Sequence, residues 1–141
     1  MKIAVAIMKP EKMSPLAQVF GRSNYFLINK TSDNSEIILQ NPFANELGGA
    51  GIQSARFLIE NEIDIVIVKK IGMNPYRFLS SANIKVYQSS DTTGVNAIQL
   101  FTEGKLNLIG NTNSDVSPIR KRKRYGQKNI KNKKGNSWIR D

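Results

Sequence analysis

The segment Asn41-Pro42-Phe43-Ala44-Asn45-Glu46-Leu47-Gly48-Gly49-Ala50-Gly51, called the glycine loop below, joins an extended stretch of the sequence to a helical one. Three of its last four residues are glycines. The first N–H groups of a helix lack intrahelical acceptors, and the helix dipole adds partial positive charge there, so a bare helix start can hold an anion. Glycines at this place also suit a tight turn that lets a helix pack closely against a sheet. The pattern therefore leaves a binding loop and a packing device as alternatives.

Apolar periodicity around the glycine loop predicts alternating strands and helices. The run from Lys2 to Met8 is apolar at successive positions, which is typical of a central strand covered on both faces. In chain order we predict strands at 2–8, 25–29 and 36–40, a helix at 50–61, a strand at 64–68, a helix starting at Asn74-Pro75, a strand at 84–87 and a helix capped by Thr93. This order predicts an α/β fold with a mixed sheet and helices on its faces.

The composition excludes several kinds of site. The 141 residues include no cysteine and no histidine, which removes disulfides, thiolate nucleophiles, imidazole bases and the usual ligands of zinc and iron–sulfur clusters. Asp64, Asp91 and Glu103 form no recognisable carboxylate set for two-metal hydrolysis. Because no activated nucleophile and base can be paired, we expect a non-catalytic protein without a metal-ligand set.

The positive charge is concentrated near the end of the sequence. The net charge is +10, and residues 119–141 hold ten basic side chains against one acid, a net +9. We therefore expect a folded domain at 1–109, followed at 110–141 by a polar linker and a basic, disordered tail. The tail could contact nucleic acid or serve only as a solvated extension. Its densest basic run is Arg120, Lys121, Arg122, Lys123 and Arg124.

The sequence also predicts a location. No apolar run approaches the roughly 18 residues of a membrane span. The first residues, Met1-Lys2-Ile3, lead directly into a strand-like run rather than into the hydrophobic region of a signal peptide. We therefore expect a cytoplasmic protein without a membrane partner.

Small motifs follow one another through residues 1–109. They are Ser14-Pro15, Phe20-Gly21-Arg22 with Tyr25-Phe26, Asn41-Pro42 with Gly48-Gly49-Ala50-Gly51, Ile71-Gly72-Met73-Asn74-Pro75, and Ile84-Lys85-Val86-Tyr87 before Thr93-Gly94-Val95. In order and spacing they resemble the dinitrogenase iron-molybdenum cofactor biosynthesis family. The resemblance implies a ribonuclease H-like α/β fold, with a mixed five-stranded sheet whose second strand is antiparallel to the rest. It also implies a role in nitrogen fixation, as a binding protein for an iron–sulfur or iron–molybdenum cluster during nitrogenase cofactor assembly.

The implied fold brings the C-terminal ends of strands one, three, four and five to one edge of the sheet, where open α/β sheets bind ligands. The glycine loop lies there, and Lys69 or Lys70 would add positive charge. The candidate ligand-binding residues are Arg22, Gly48, Gly49, Ala50 and Gly51.

The chain departs from the pattern of the family that it resembles at the positions that precede the glycines. Relatives that bind clusters often carry histidines there, whereas this chain has Asn45-Glu46-Leu47. Only Glu46 and the thioethers of Met8, Met13 or Met73 could ligate iron. We therefore expect a cluster, or another anionic ligand such as a phosphate compound, to be held as an anion in a positive pocket. The alternative is a nucleic-acid-associated module that acts through the basic tail.

Overall fold

Strand β1 (Lys2–Ile7) lies inside the sheet, as its uninterrupted apolar sequence predicts. The computed structural model describes residues 1–110, so the predicted tail, with its basic run at 120–124, lies outside the described residues. The other strands are β2 (Tyr25–Lys30), β3 (Ser35–Gln40), β4 (Ile65–Val68), β5 (Lys85–Gln88) and β6 (Asn107–Leu108). The helices are α1 (Ala50–Glu60), α2 (Met73–Ser81) and α3 (Gly94–Thr102), and a short 3-10 turn spans Phe20–Arg22.

The strands form one mixed sheet in the order β3-β2-β1-β4-β5-β6. Strand β2 runs antiparallel to β1 and β3, whereas β1, β4 and β5 pair in parallel. The sheet has six strands rather than the predicted five, because Asn107 and Leu108 pair antiparallel with Gln88 and Tyr87. A strand of two residues shows no alternation of apolar and polar positions, so the sequence pattern does not reveal it.

Helices cover both faces of the sheet. Helix α3 covers one face, and the core on that side consists of Ile3, Val5, Ile7, Leu16, Leu27, Ile65, Ile67, Ala97 and Ile98. Helix α1 covers the other face, where the ring of Phe57 stacks on that of Phe26 with centroids 6.3 Å apart. This double cover explains why every residue from Ile3 to Ile7 is at most 1% exposed. None of the helices within residues 1–110 is long and apolar enough to cross a membrane.

Close backbone contacts hold the start of α1 between the 3-10 turn and α2. A Cβ atom on Gly21 would lie 2.8 Å from the Cα atom of Gly51. A Cβ atom on Gly51 would in turn lie 2.9 Å from the Cγ atom of Pro75, in the first turn of α2. Real Cβ atoms are not found so close to other heavy atoms, so both positions need glycine for this packing.

Helix α2 begins two residues earlier than the sequence predicts. Gly72 is the N-cap residue, so Asn74 does not cap the helix and Pro75 is its third residue rather than its first. Proline is tolerated at this position because N–H groups in the first turn have no intrahelical acceptor. The predicted cap of α3 is confirmed, since the side chain of Thr93 accepts a hydrogen bond from the N–H group of Asn96.

We expect Gly21→Ala to destabilise the protein, because the added Cβ atom would meet the backbone of Gly51 and displace the start of α1. The free energy of unfolding, measured by urea denaturation, should fall by about 1–3 kcal/mol. The matched control is Gly48→Ala, since a Cβ atom there has no heavy atom within 4 Å beyond its chain neighbours. This control should change the free energy of unfolding by less than about 0.5 kcal/mol. Equal stability of the two variants would contradict the close contact.

Candidate functional site

Four loops meet at one edge of the sheet, called the carboxyl edge below, because they follow the C-terminal ends of the co-directional strands β1, β3, β4 and β5. The backbone N–H group of Phe20 donates to the carbonyl oxygen of Lys70 at 2.9 Å. The N–H group of Leu16 donates to the carbonyl oxygen of Thr92 at 3.2 Å. These bonds tie the loop after β1 to the loops after β4 and β5, as the predicted topology requires.

The N-terminus of α1 is open. Gly49 is its N-cap residue, with φ of +77°, and offers no side-chain cap. Its carbonyl oxygen accepts the first intrahelical bond from the N–H group of Gln53 at 2.9 Å. The N–H groups of Ala50, Gly51 and Ile52 have no protein acceptor within residues 1–110. They are therefore unpaired donors of the first turn, which a helix itself cannot satisfy.

The N-terminus of α2 is open as well, and it lies beside that of α1. Gly72 has no side chain to cap the helix, and its carbonyl oxygen accepts from the N–H group of Tyr76 at 3.1 Å. In the described part of the chain, the N–H groups of Met73 and Asn74 find no acceptor. The Gly51–Pro75 contact places the two helix starts next to each other.

Helix α3 begins differently, because every N–H group of its first turn is paired. The N–H group of Gly94 donates to the carbonyl oxygen of Ser14, and that of Val95 donates to the carbonyl oxygen of Lys12, both at 2.9 Å. The N–H group of Asn96 donates to Thr93 Oγ1 at 3.2 Å. Of the three helices within residues 1–110, only α1 and α2 thus present unpaired donors at the carboxyl edge.

The glycines of the glycine loop differ in their surroundings. Gly51 is a packing residue, as the contact with Pro75 shows. A Cβ atom at Gly48 or Gly49 would meet nothing within 4 Å, so a ligand can approach the backbone there. The side chain of Ala50 is buried, and this residue offers only its N–H group. The packing interpretation therefore holds for Gly51, and the binding interpretation stays a prediction for Gly48 and Gly49.

Arg22 clamps the glycine loop. Its Nη1 atom donates to the carbonyl oxygen of Ala44 at 3.0 Å and to that of Glu46 at 2.7 Å. The Nε and Nη2 atoms make no hydrogen bond to any residue in the described range 1–110. The guanidinium therefore has a structural role and retains donors that an anion could use.

The two lysines that follow β4 differ in their pairing. Lys69 donates to Gln18 Oε1 at 3.2 Å and forms an ion pair with Asp91. Lys70 is exposed, and its ammonium group has no ion pair or hydrogen bond to the described residues. Of these two predicted cations, Lys70 is the one available to a ligand.

A buried polar residue, to which the sequence analysis assigned no role of its own, fixes the base of the glycine loop. Asn41 is 4% exposed, and its Nδ2 atom donates to the carbonyl oxygen of Ser23 at 2.8 Å and to Ser54 Oγ at 2.9 Å. Its Oδ1 atom accepts from the N–H group of Phe43 at 3.1 Å. The Asn-Pro sequence signals such a turn, but only the fold shows that Ser54 of α1 completes the network.

Direct ligation of a metal finds no support in the described side chains. Residues 1–110 contain no group of three or more histidine, cysteine, aspartate or glutamate side chains that could hold a metal ion. The thioethers of Met8 and Met13 lie in exposed residues, with 42% and 61% of their surfaces accessible. The electrostatics of this edge instead suit an anion that is bound through hydrogen bonds and charge.

Comparison with known proteins confirms the resemblance seen in the motifs. The family model described as dinitrogenase iron-molybdenum cofactor matches residues 1–104. An uncharacterized protein of Methanocaldococcus jannaschii is 34% identical over 110 residues, which cover 75% of this chain and 89% of the relative. The chain therefore belongs to the dinitrogenase iron-molybdenum cofactor family.

Solved structures share the fold. The apo form of the orange protein from Desulfovibrio gigas has a TM-score of 0.74 and 24% identity, covering 80% of this chain and 96% of that one. A proposed NifB protein from Thermotoga, assigned to the DUF35 family, has a TM-score of 0.70 and 24% identity. The match covers 81% of this chain and 97% of that one. A proposed dinitrogenase from M. jannaschii has a TM-score of 0.61 and 24% identity. The match covers 79% of this chain and 96% of that one. The mixed α/β sheet is thus common to these proteins.

We expect Arg22→Ala to loosen the glycine loop, because the Nη1 atom bonds two of its carbonyl oxygens. Amide hydrogen exchange at Glu46, whose N–H group bonds the carbonyl oxygen of Phe43, should become at least about tenfold faster, given the strength of charge-assisted bonds. The matched control is Lys70→Ala, which removes a cation whose side chain has no hydrogen bond to the glycine loop. This variant should leave the exchange at Glu46 unchanged. Unchanged exchange at Glu46 in Arg22→Ala would disprove the clamp.

Proposed function

We propose that the chain is a non-catalytic binding protein that holds an anionic ligand at the open N-termini of α1 and α2. In its family context we propose an iron–sulfur or iron–molybdenum cluster as the ligand, carried as cargo during nitrogenase cofactor assembly. The observation that carries the proposal is the pair of uncapped helix starts, which lie side by side while the start of α3 is closed.

The charges at this edge favour an anion over a neutral ligand. Each helix start contributes roughly half a positive charge, and the two starts act on the same space. The exposed ammonium group of Lys70 and the unpaired nitrogens of Arg22 add full charges. Gly48 and Gly49 have no side chains, so these two residues put no steric barrier in the way of a bulky polyanion.

The mode of binding follows from the residue types. Without cysteine or histidine, no thiolate or imidazole can ligate a cluster, so it would be held by hydrogen bonds and charge alone. The same absence supports a non-catalytic role, as does the lack of any carboxylate in β1. The strand order from β3 to β5, with β2 opposed, supports a ribonuclease H-like motif in which the site occupies the usual ligand edge.

We expect Gly48→Val to weaken anion binding at least about tenfold, because its side chain would occupy the open space beside the helix starts. Binding would be measured by calorimetric titration of the full chain with molybdate and with inorganic phosphate. Gly48 is better suited than Gly49, where φ of +77° would strain any valine. The melting temperature should stay close to that of the original protein.

Ser80→Val, an exposed position in α2 away from its start, is the matched control and should bind as the original protein does. Equal binding by Gly48→Val and the original protein would refute the site. Iron and sulfide in protein isolated without oxygen would identify a cluster as the cargo. Anion binding by a protein isolated without metal or sulfide would instead favour a phosphate compound or another anion.

A second candidate function rests on the charge of residues 119–141, a net +9. This charge density could neutralise phosphates of a nucleic acid through the run Arg120, Lys121, Arg122, Lys123 and Arg124, without reading the base sequence. It is independent of the carboxyl edge, so the two functions can be tested separately.

We expect truncation after Ser117 to abolish binding to duplex DNA and to single-stranded RNA, measured by fluorescence anisotropy at two salt concentrations. The original chain should bind more weakly at the higher salt concentration, because phosphate contacts release counterions. Molybdate binding should survive the truncation. Nucleic-acid binding by the truncated protein would refute a role for the tail.

A further inference from the structure

Strand β3 forms one edge of the sheet, and its one charged residue, Glu36, forms an ion pair with Lys12. The strand pairs with β2 on one side and with no strand of the described chain on the other. Its six residues, Ser35–Gln40, contain no proline and no lysine, and Ile37 is 56% exposed. An exposed apolar residue on an edge strand without proline or lysine is typical of a surface that pairs with another strand.

The hydrogen-bonding register shows which backbone groups face outward. The N–H group of Asn41 donates to the carbonyl oxygen of Asn24, so residue 41 faces β2. Inward and outward groups alternate along an antiparallel strand. Residues 36, 38 and 40 therefore point their N–H and C=O groups away from β2, into the space beside the sheet.

The sequence of the strand is symmetric in chemistry about Ile38. On either side of Ile38 an apolar residue, Ile37 or Leu39, is followed by a polar one, Glu36 or Gln40. If two copies pair antiparallel with Ile38 opposite Ile38, Ile37 of one copy faces Leu39 of the other. Glu36 of one copy then faces the neutral Gln40 of the other, so no like charges meet.

We propose that a second copy of this chain pairs with β3, antiparallel and centred on Ile38, and that the two sheets form one continuous sheet across a two-fold axis. The outward groups of residues 36, 38 and 40 make the ladder, and Pro42 ends it because proline has no N–H group. The antiparallel arrangement sends the two carboxyl edges in opposite directions, so both candidate ligand sites stay accessible.

The test is sedimentation equilibrium of the full chain over a range of concentrations at moderate salt, which screens the net charge of +10. The original chain should show a monomer–dimer equilibrium. Gln40→Glu should weaken it roughly tenfold, because two pairs of like charges would face each other across the interface. Combining Glu36→Gln with Gln40→Glu should restore the dimer, since each glutamate again faces a glutamine.

Ile37→Lys should abolish the dimer, because the lysine would face the apolar Leu39 of the other copy near the centre of the interface. Its matched control, Ser80→Lys, adds the same charge at an exposed position of α2 and should leave the dimer intact. Circular dichroism would check that each variant is folded. A chain that stays monomeric throughout, or a dimer insensitive to Gln40→Glu and Ile37→Lys, would overturn the proposal.

Discussion

The backbone contact between Gly21 and Gly51 is the constraint on which the rest of the carboxyl edge depends. It fixes the start of α1 against the 3-10 turn that carries Arg22. The contact of Gly51 with Pro75 in turn fixes the start of α2 against the start of α1. Packing thus sets the positions of two helix starts and of the arginine clamp before any ligand arrives. A site built on such contacts is preorganised, so a ligand need not supply the free energy to assemble it.

The difference between the helix starts shows how the fold distributes its backbone donors. In the loop after β1, the carbonyl oxygens of Lys12 and Ser14 accept hydrogen bonds from the first N–H groups of α3. The corresponding donors of α1 and α2 have no acceptor among residues 1–110, so water satisfies those that are exposed in the free protein. An anion must replace that water, so each N–H group contributes little net free energy. Discrimination at the proposed site would therefore depend on charge, which favours a polyanion over a neutral ligand.

The sequence predicts those parts of the fold that local patterns encode. The apolar run of β1, the helix after the glycine loop and the cap at Thr93 are of this kind. It does not predict β6, because two residues carry no periodicity, or the true start of α2, because Asn74-Pro75 is also compatible with the interior of a first turn. The distinct roles of the loop glycines depend on contacts with residues distant in the chain, and no local pattern contains them.

The absence of cysteine and histidine limits how the proposed cluster cargo would be held. A cluster ligated by thiolates is held by bonds that must be broken and replaced when it is transferred. A cluster held by N–H groups and the charges of Lys70 and Arg22 leaves without a change in its inner ligands. Such binding weakens as salt screens the charges at this exposed edge. The clamp by Arg22 would favour binding independently of salt, because it keeps the glycine loop in place and avoids the entropic cost of ordering it on each binding event.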